Sequence, residues 1–443
     1  MKKIVLIFLL ILTSLMFSNF YDDLKNYVEN SPEYLEALKN YMNVEFEDEF
    51  RLNFGTNINK SSLNYDFEKI MLNVPISFNY SDDFELYLAP NINGSSVTLP
   101  LGVNFSLFNF DLNLEGNFSF VNDDFRDSYS FSISKNLFDN SDESDLEKEI
   151  NKLNAKRNLL NVKNQKVIEF LNNVFYSNFY SKMYDVYSKL LVLKEEELKE
   201  SEEKFEKGII SEIEYLNSKK SYIAVQKNYL TYRNKKREYE KYTKYNFQKF
   251  DVEIPEKSFN KRDDLKALQL EVELNKLRMD RIYQLYIPNM TFGFEVDYNY
   301  KPLSSEKELK PKLFLNFTFD LSNQKALEEE NRRLNYEISI KNLETKIEDL
   351  EDQYESLLTE LESLNYDYEI SKINKRIKEI NYLNLKQKLE DGLITKNEYE
   401  SAMYELLVEE YNLENVEFSI LIQKLNIYSF LGYDLLSLLE EVL

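Results

Sequence analysis

The stretch Lys204-Phe-Glu-Lys-Gly-Ile-Ile-Ser-Glu-Ile-Glu-Tyr215 decides the fold, because a closely similar one, Lys388-Leu-Glu-Asp-Gly-Leu-Ile-Thr-Lys-Asn-Glu-Tyr399, follows 184 positions later. Each stretch carries a glycine, Gly208 or Gly392, where a helix can end in the left-handed conformation. Only glycine takes this conformation without a penalty from the Cβ atom. Both glycines therefore predict the end of a helix.

A start signal for a new helix follows each glycine within three residues. Ser211 with Glu214, and Thr395 with Glu398, form the pattern Ser/Thr-x-x-Glu. In this capping box the hydroxyl and the carboxylate accept hydrogen bonds from backbone N–H groups that the first turn leaves unpaired. One helix thus stops and the next begins within a few residues, which predicts two helical hairpins and a chain built from two copies of one design.

The composition excludes several classes of function. The 443 residues contain 78 Asp and Glu against 55 Lys and Arg, and the resulting net charge of −23 argues against nucleic-acid binding. There is no Cys and no His, which excludes disulfides, thiol nucleophiles, His-based triads and the usual zinc sites. Paired carboxylates could perform acid–base chemistry, but no pair stands out. We expect no enzyme, no cofactor and no metal site.

The first residues have the pattern of an export signal. Lys2 and Lys3 precede the apolar run of residues 4–17, which is too short to span a bilayer as a helix. We expect a signal peptide over residues 1–18, with cleavage near Ser18.

Residues 46–138 alternate between apolar and polar residue types with the period of a strand. The clearest example is residues 97–107, and about six strands are expected before the first long helix. Residues 290–300 and 313–321 alternate in the same way around a polar loop at residues 301–311. Such strands suit a lipid-facing barrel with a wet interior, and a soluble sandwich would show the same alternation.

Two very long helices are expected, one from a capping box at Ser144 and Glu147 to residue 207, the other over residues 325–390. The return helices are expected over residues 212–244 and 396–429. The second long helix carries a coiled-coil seam, which then shifts to a second stripe. The seam comprises Tyr336, Ile340, Leu343, Ile347, Leu350, Tyr354, Leu357, Leu361, Leu364 and Tyr368, and the second stripe comprises Ile370, Ile373, Ile377 and Ile380. A soluble coiled coil that acts as a spacer fits this pattern equally well.

The remaining segments complete the two copies. A helix over residues 21–44 is interrupted at Pro32, a break falls at residues 251–258, and a helix follows over residues 263–286. The order of helix, strands, long helix, tip and return helix then occurs twice. We assign residues 19–255 and 256–443 to two structural repeats.

This order resembles the TolC-like outer membrane efflux protein family over nearly the whole chain. Arg262-Asp-Asp-Leu-Lys-Ala-Leu268 and Tyr286-Ile-Pro-Asn289 are similar to the family's helix before a strand. Ile133-Ser-Lys-Asn-Leu-Phe-Asp139 and Phe314-Leu-Asn-Phe-Thr-Phe-Asp320 resemble its strand that leads into the long helix. The two Gly-x-x-Ser/Thr tips resemble its periplasmic turns.

The resemblance implies an α+β fold in which a homotrimer forms one transmembrane β-barrel and one periplasmic tunnel, an α-barrel, of long antiparallel coiled-coil hairpins. Each protomer of the family gives four strands to the barrel, two of them before the first long helix. The extra strands expected here, within residues 59–127, would enlarge the barrel, form outer loops or plug it. The resemblance further implies that a periplasmic adaptor protein contacts the tips, at Gly208, Ile210, Ser211, Gly392, Ile394 and Thr395.

By their position after the tip glycines, Glu214 and Glu398 match acids that line the tunnel entrance in the family. Their place in the capping boxes explains both residues without any channel, and the two roles are compatible. Three copies of Glu398 around a narrow entrance would attract cations and favour block by divalent cations.

The function expected from the sequence is a passive exit duct in the outer membrane. With an adaptor and an inner-membrane pump, it would serve a tripartite efflux pump or a type I secretion system, for small molecules or polypeptides. The alternative is an exported coiled-coil spacer or surface interaction protein without channel activity. A carbohydrate-acting enzyme that uses carboxylates is a third, weaker hypothesis.

Overall fold

The computed structural model of the chain describes residues 20–45, 51–54, 57–60, 70–73, 76–81, 84–88, 90–93, 96–107, 110–121, 124–136, 141–245, 247–287, 289–301, 306–318 and 324–442. The expected signal peptide, residues 1–18, lies outside them. No helix within these ranges is long and apolar enough to cross a membrane. The chain divides into two compact units. We call them the sheet unit (Lys39–Lys156 and Asp264–Thr345) and the helical unit (Met1–Leu38, Arg157–Asp263 and Lys346–Leu443).

Helices make up most of the described chain. They are α1 (Phe20–Glu29), α2 (Pro32–Glu45), α3 (Ser141–Glu206), α4 (Glu212–Glu238), α5 (Asp263–Asp280), α6 (Lys325–Glu390), α7 (Lys396–Phe430) and α8 (Leu435–Val442). Two 3₁₀ turns, Glu240–Tyr242 and Ile282–Leu285, follow α4 and α5.

Every strand pairing in the sheet unit is antiparallel. The strands are β1 (Arg51–Phe54), β2 (Asn57–Lys60), β3 (Ile70–Asn73), β4 (Ile76–Ser81), β5 (Phe84–Leu88), β6 (Asn91–Asn93), β7 (Ser96–Leu107), β8 (Phe110–Val121), β9 (Asp124–Asn136), β10 (Asn289–Lys301) and β11 (Glu306–Thr318).

Within the described residues, the eleven strands form eight rows, because three pairs of short strands each lie in line. The pairing of β1 with β4 continues in the same register as the pairing of β2 with β3. Phe54 lies opposite Ile76, and Asn57 lies opposite Asn73. β5 and β6 likewise share one register along β7. The nine strands before α3 therefore make six rows, which is the number of strands that the alternation predicts.

All four connections between the sheet and the helices lie at one end of the sheet. The chain enters the sheet at the start of β1 and of β10, and leaves it at the end of β9 and of β11. Because neighbouring rows run in opposite directions, these four points share one end. At this end the start of α3 is tied to the C-terminal end of α5 and the residue after it: Arg281 donates to Asp142 at 2.8 Å and Arg278 to Glu143 at 3.1 Å.

Some expected boundaries are confirmed and others are wrong. The helix expected over residues 325–390 has these bounds, and the interruption before Pro32 separates α1 from α2. The long first helix begins at Ser141, so Ser144 is not its N-cap, and Glu147 instead accepts a hydrogen bond from Arg278. The return helix expected to reach residue 244 ends at Glu238, and the helix expected to reach residue 286 ends at Asp280.

The polar loop expected at residues 301–311 is largely strand. β11 begins at Glu306, because Glu306–Pro311 pair with the second half of β10. The charged residues of this segment favoured a loop over a strand, although Leu309 and Pro311 keep the alternation. Within one chain β11 is the edge of the sheet, and a proline is tolerated there because the outer side of the strand has no ladder partner in that chain.

The core of the helical unit collects apolar residues from both ends of the sequence. Leu24 and Val28 of α1 pack with Phe170 and Leu171 of α3 and with Leu425 of α7, and all five are at most 1 % exposed. α8, which the sequence patterns did not predict, adds its leucines to this core. The buried Asn164 caps α8, because its amide oxygen accepts from the Leu435 N–H at 2.9 Å.

The coiled-coil seam of α6 is buried in part. Tyr354 and Leu361 lie in a cluster with Ile427 and Leu431, and Leu350 is fully buried. The second stripe, at Ile370, Ile373, Ile377 and Ile380, is about half exposed. Within one chain, the apolar stripe of α6 is thus left about half exposed where it shifts.

Candidate functional site: the two helix tips and the two-faced sheet

The first tip ends α3 in the conformation that its glycine predicts. Gly208 has φ +68°, and its N–H donates to the Phe205 carbonyl at 2.9 Å. The Ile209 N–H donates to the Lys204 carbonyl at 2.8 Å. These two bonds form a Schellman motif, which pairs carbonyl groups that the helix end leaves free.

The capping box of the first tip is formed in full. The Glu214 N–H donates to Ser211 Oγ at 3.3 Å, and the Ser211 N–H donates to Glu214 Oε2 at 2.8 Å. The Ser211 hydroxyl donates to the same carboxylate oxygen at 2.9 Å. These donors favour the charged carboxylate, so they hold the pKa of Glu214 below its usual range.

The second tip has the same backbone geometry. Gly392 has φ +71° and donates to the Leu389 carbonyl at 3.0 Å, and Thr395 and Glu398 form the second capping box. Both bonds of this box measure 3.3 Å. Both capping boxes predicted from the tip sequences are therefore confirmed.

The most exposed apolar side chains at the tips are not those of the expected contact set. Ile210 and Ile394 are only partly exposed. Their neighbours Ile209, Ile213 and Leu393 are 67 %, 72 % and 71 % exposed. Sequence reasoning missed these three, although a large apolar residue beside a helix-ending glycine is a signal that could have identified them.

The acids Glu214 and Glu398 are both exposed and both bound to their own caps. Each carboxylate accepts the N–H of its own N-cap residue, Ser211 or Thr395. The structure therefore accounts for both residues as caps.

Side-chain contacts define the order of the four hairpin arms. α4 contacts α3 through the stacked rings of Tyr187 and Tyr232, with centroids 5.1 Å apart. α3 contacts α7, where Asn397 donates to Glu196 at 2.9 Å. α7 contacts α6, where Lys378 lies 2.8 Å from Glu405. The arms thus follow one another as α4, α3, α7 and α6.

The sheet unit presents two chemically different faces. One line of registered residues across β7 to β11 is apolar throughout: Val103, Leu114, Phe131, Val296 and Pro311. Large side chains on this face are exposed, and Leu313 reaches 70 %. An exposed apolar face of this extent marks an interaction surface rather than an ordinary protein exterior.

The next line of registered residues, on the opposite face, is polar: Asn104, Asn113, Ser132, Glu295 and Lys312. Glu295 and Lys312 pair across the strands at 2.9 Å. The alternation predicted from the sequence therefore separates the residues of these strands into an apolar and a polar face.

No model of a protein family matches the chain, and no curated protein matches it. Solved structures do. The CmeC outer membrane channel of Campylobacter jejuni has 12% identity and a TM-score of 0.56, with 95% of this chain and 89% of CmeC covered. The outer membrane protein VceC of Vibrio cholerae has 10% identity and a TM-score of 0.54, with 93% and 96% covered. A membrane protein from Pseudomonas aeruginosa has 8% identity and a TM-score of 0.56, with 94% of each chain covered.

At identities this low, the likeness shows the fold. Nearly the whole of this chain and nearly the whole of each of these proteins take part in it. A mostly helical chain with an antiparallel sheet and two Gly-capped hairpins is what the resemblance implies. The chain has a TolC-like fold.

Proposed function

We propose that the protein is the passive exit duct of a tripartite efflux pump or a type I secretion system in the outer membrane. Three copies form one β-barrel in the lipid and one helical tunnel in the periplasm. The carrying observation is the sheet, whose apolar face is exposed while its other face is polar. Lipid on one side and water on the other suits both faces.

Association of copies follows from the edges of the sheet. β1 and β11 are the two ends of the main path of paired strands. In a bilayer, unpaired backbone groups at such an edge would cost several kcal/mol each. Neighbouring copies satisfy these groups, so we expect association of copies in lipid, and the resemblance implies that three copies take part.

The two chain segments 19–255 and 256–443 act as repeats of one structural design in this proposal. Their matching Schellman motifs and capping boxes support it. The tips are the contact sites for a periplasmic adaptor, through which the duct meets an inner-membrane pump. The expected contact set at Gly208, Ile210, Ser211, Gly392, Ile394 and Thr395 is extended to the more exposed Ile209 and Leu393.

Glu398 has a second role in this proposal, at the tunnel entrance. Its carboxylate is exposed, and three copies around one axis would concentrate cations. Its capping role does not prevent this, because the Thr395 N–H occupies one lone pair of the carboxylate and leaves others free.

Conductance of the purified oligomer in a planar bilayer tests the duct. We expect ion-conducting trimers that divalent cations block, and weaker block for Glu398→Gln. Glu214→Gln is the companion variant, since it alters the other capping box and the other acid that matches an entrance-lining residue. A soluble, non-conducting protein would instead establish the exported coiled-coil spacer.

A further inference from the structure

We infer that each copy contributes eight strands to the shared barrel, and that the row β1–β2 of one copy pairs with β11 of the next. This inference rests on the proposed function. It goes beyond the resemblance, which implies four strands per protomer. It also decides among the alternatives for the extra strands, which could widen the barrel, form outer loops or plug it.

The short strands β1 to β6 lie in line as three rows: residues 51–54 and 57–60, residues 70–73 and 76–81, and residues 84–88 and 91–93. Their pairings keep one register, apart from a shift between Asn79 and Ser81 in β4. From first to last described residue these rows span ten to twelve positions, and the other five rows have twelve or thirteen residues. About nine to eleven residues suffice for a strand to cross a bilayer. All eight rows thus have the length of membrane-spanning strands.

The pattern of polar and apolar residue types is the same in the extra rows, β1 to β7, as in β8. Starting at Asn57, the registered residues are Asn73, Asn91, Thr98 and Ser119, all polar. The adjacent line from Ile58 runs through Leu72, Ile92, Val97 and Phe120, all apolar. A plug or an outer loop would have no need for this separation, whereas a barrel wall requires it.

The two edge rows of the sheet run in opposite directions. The first row and β11 are antiparallel to each other, because eight antiparallel rows alternate in direction. The first row of one copy can therefore continue the antiparallel order when it lies beside β11 of another copy. An odd number of rows would force a parallel contact at every junction between copies. Three copies close a barrel of twenty-four rows with the helical connections at one end.

Closure within one chain is the competing arrangement. An eight-stranded barrel is just wide enough for its own side chains to fill, so it leaves no passage for cargo. Because the barrel diameter grows roughly linearly with strand number, the three-copy arrangement is about twice as wide as a barrel of twelve strands.

Cysteine pairs across the two edges test the inference, and the chain has no native Cys to interfere. We would combine Asn57→Cys with Lys310→Cys, Lys312→Cys or Asn316→Cys in the full-length protein, in native outer membranes, under mild oxidation. These three positions of β11 alternate onto its polar line and sample neighbouring registers. At least one pair is expected to give disulfide-linked dimers and trimers on denaturing gels. Asn57→Cys with Leu313→Cys is the matched control, since position 313 alternates to the other face and should remain unlinked.

The result that overturns the inference is a disulfide within single chains, or no disulfide with any of the three partners. Conductance of the same preparation separates this from a failure of the proposed function. Conducting trimers without the edge disulfide would contradict only the inferred pairing of strands between copies. A preparation that neither associates nor conducts would also contradict the proposed function as an exit duct.

A deletion of residues 51–107 supplies a second measurement. It removes four rows and leaves β8 to β11, with the first remaining row entering at the helix end. The barrel seen in averaged electron micrographs of the trimer is expected to narrow about twofold. An unchanged diameter would show that the extra rows lie outside the barrel wall. If the deleted protein does not assemble, the cysteine pairs decide.

Discussion

The two helix tips have the same backbone and different surfaces. Gly208 and Gly392 have φ values of +68° and +71°, and each is followed by a complete capping box. Five residues after the glycine, the first tip has Ile213, 72 % exposed, and the second has Asn397, which donates to Glu196 of α3. The chain therefore reverses by one mechanism at both tips, while the residues around that mechanism are free to differ.

This difference separates what folds a tip from what the tip does. The cap depends on a glycine, a hydroxyl and a carboxylate at fixed spacing, and these residues point their polar groups at the backbone. The exposed apolar residues make no contribution to that cap. At this position the first tip thus exposes an apolar side chain, and the second tip has an amide that makes a contact within the chain.

The largest expected effect is a loss of local stability, and it should be equal at the two tips. Gly208→Val or Gly392→Val should each cost about 2 kcal/mol of local stability, because a β-branched residue is strained at positive φ. No other atom lies within 4 Å of a Cβ atom built at either glycine, so strain in the backbone is the whole effect. Hydrogen exchange of peptides that cover each tip measures the loss, and only the mutated tip should respond.

Asparagine at the same positions is the matched control, because it tolerates the left-handed conformation better than other side chains. Gly208→Asn and Gly392→Asn should cost less than the valine variants. Equal costs for Asn and Val would show that positive φ is not the cause. The valine variants should also leave the proposed trimer intact, since the tips are remote in sequence from the strands.

The arms behind the tips should differ in the chemistry of their coupling. The rings of Tyr187 and Tyr232 stack at 5.1 Å in the first hairpin, and such pairs contribute about 1 kcal/mol. In the second hairpin Lys378 and Glu405 lie 2.8 Å apart and are about one-third exposed, so we expect about 0.5 kcal/mol. Double-mutant cycles with alanine, at low and high salt, measure both. Salt should weaken only the ion pair, and a salt-dependent ring pair would contradict this.

A smaller effect is expected where the tips differ most. Asn397→Leu loses the hydrogen bond to Glu196, at 2.9 Å, and should destabilise the second tip by about 0.5 kcal/mol. Ile213→Asn at the matching position should leave stability nearly unchanged, since the side chain is mostly exposed. Hydrogen exchange at both tips compares the two. A larger loss for Ile213→Asn would mean that this side chain packs within its own chain.

Sequence reasoning succeeded where a structure depends on residues close in the chain. Gly208 and Ser211 lie three positions apart, and their roles follow from local backbone chemistry. The long helix over residues 325–390 was predictable because its apolar spacing is sustained. By contrast, the contact between Asn164 and the start of α8 spans more than 250 positions, and no local pattern signals it.

The sheet shows the same limit. Alternation predicted the rows, but the charged start of β11 concealed a strand whose pairing with β10 is what orders it. The tip surface was predicted in part, since the cap residues were found while the exposed Ile209 and Leu393 were not. The caps are fixed by hydrogen bonds that a motif encodes. The exposure of Ile209 and Leu393 depends on the direction of the helix that follows the cap.

The smallest effect is expected in the response of the two capping boxes to pH. The pKa of Glu214 is lowered because the N–H and the hydroxyl of Ser211 donate to its carboxylate. Its contribution to the first cap is therefore complete above the unfolded pKa, about 4.3, and is lost as the pH falls through the lower folded pKa. Hydrogen exchange of the first-tip peptide, corrected for intrinsic rates, should show protection that persists to a pH below about 4.3. Glu214→Gln should remove the pH dependence. If protection were lost well above the usual carboxylate range, another group would be responsible for the cap.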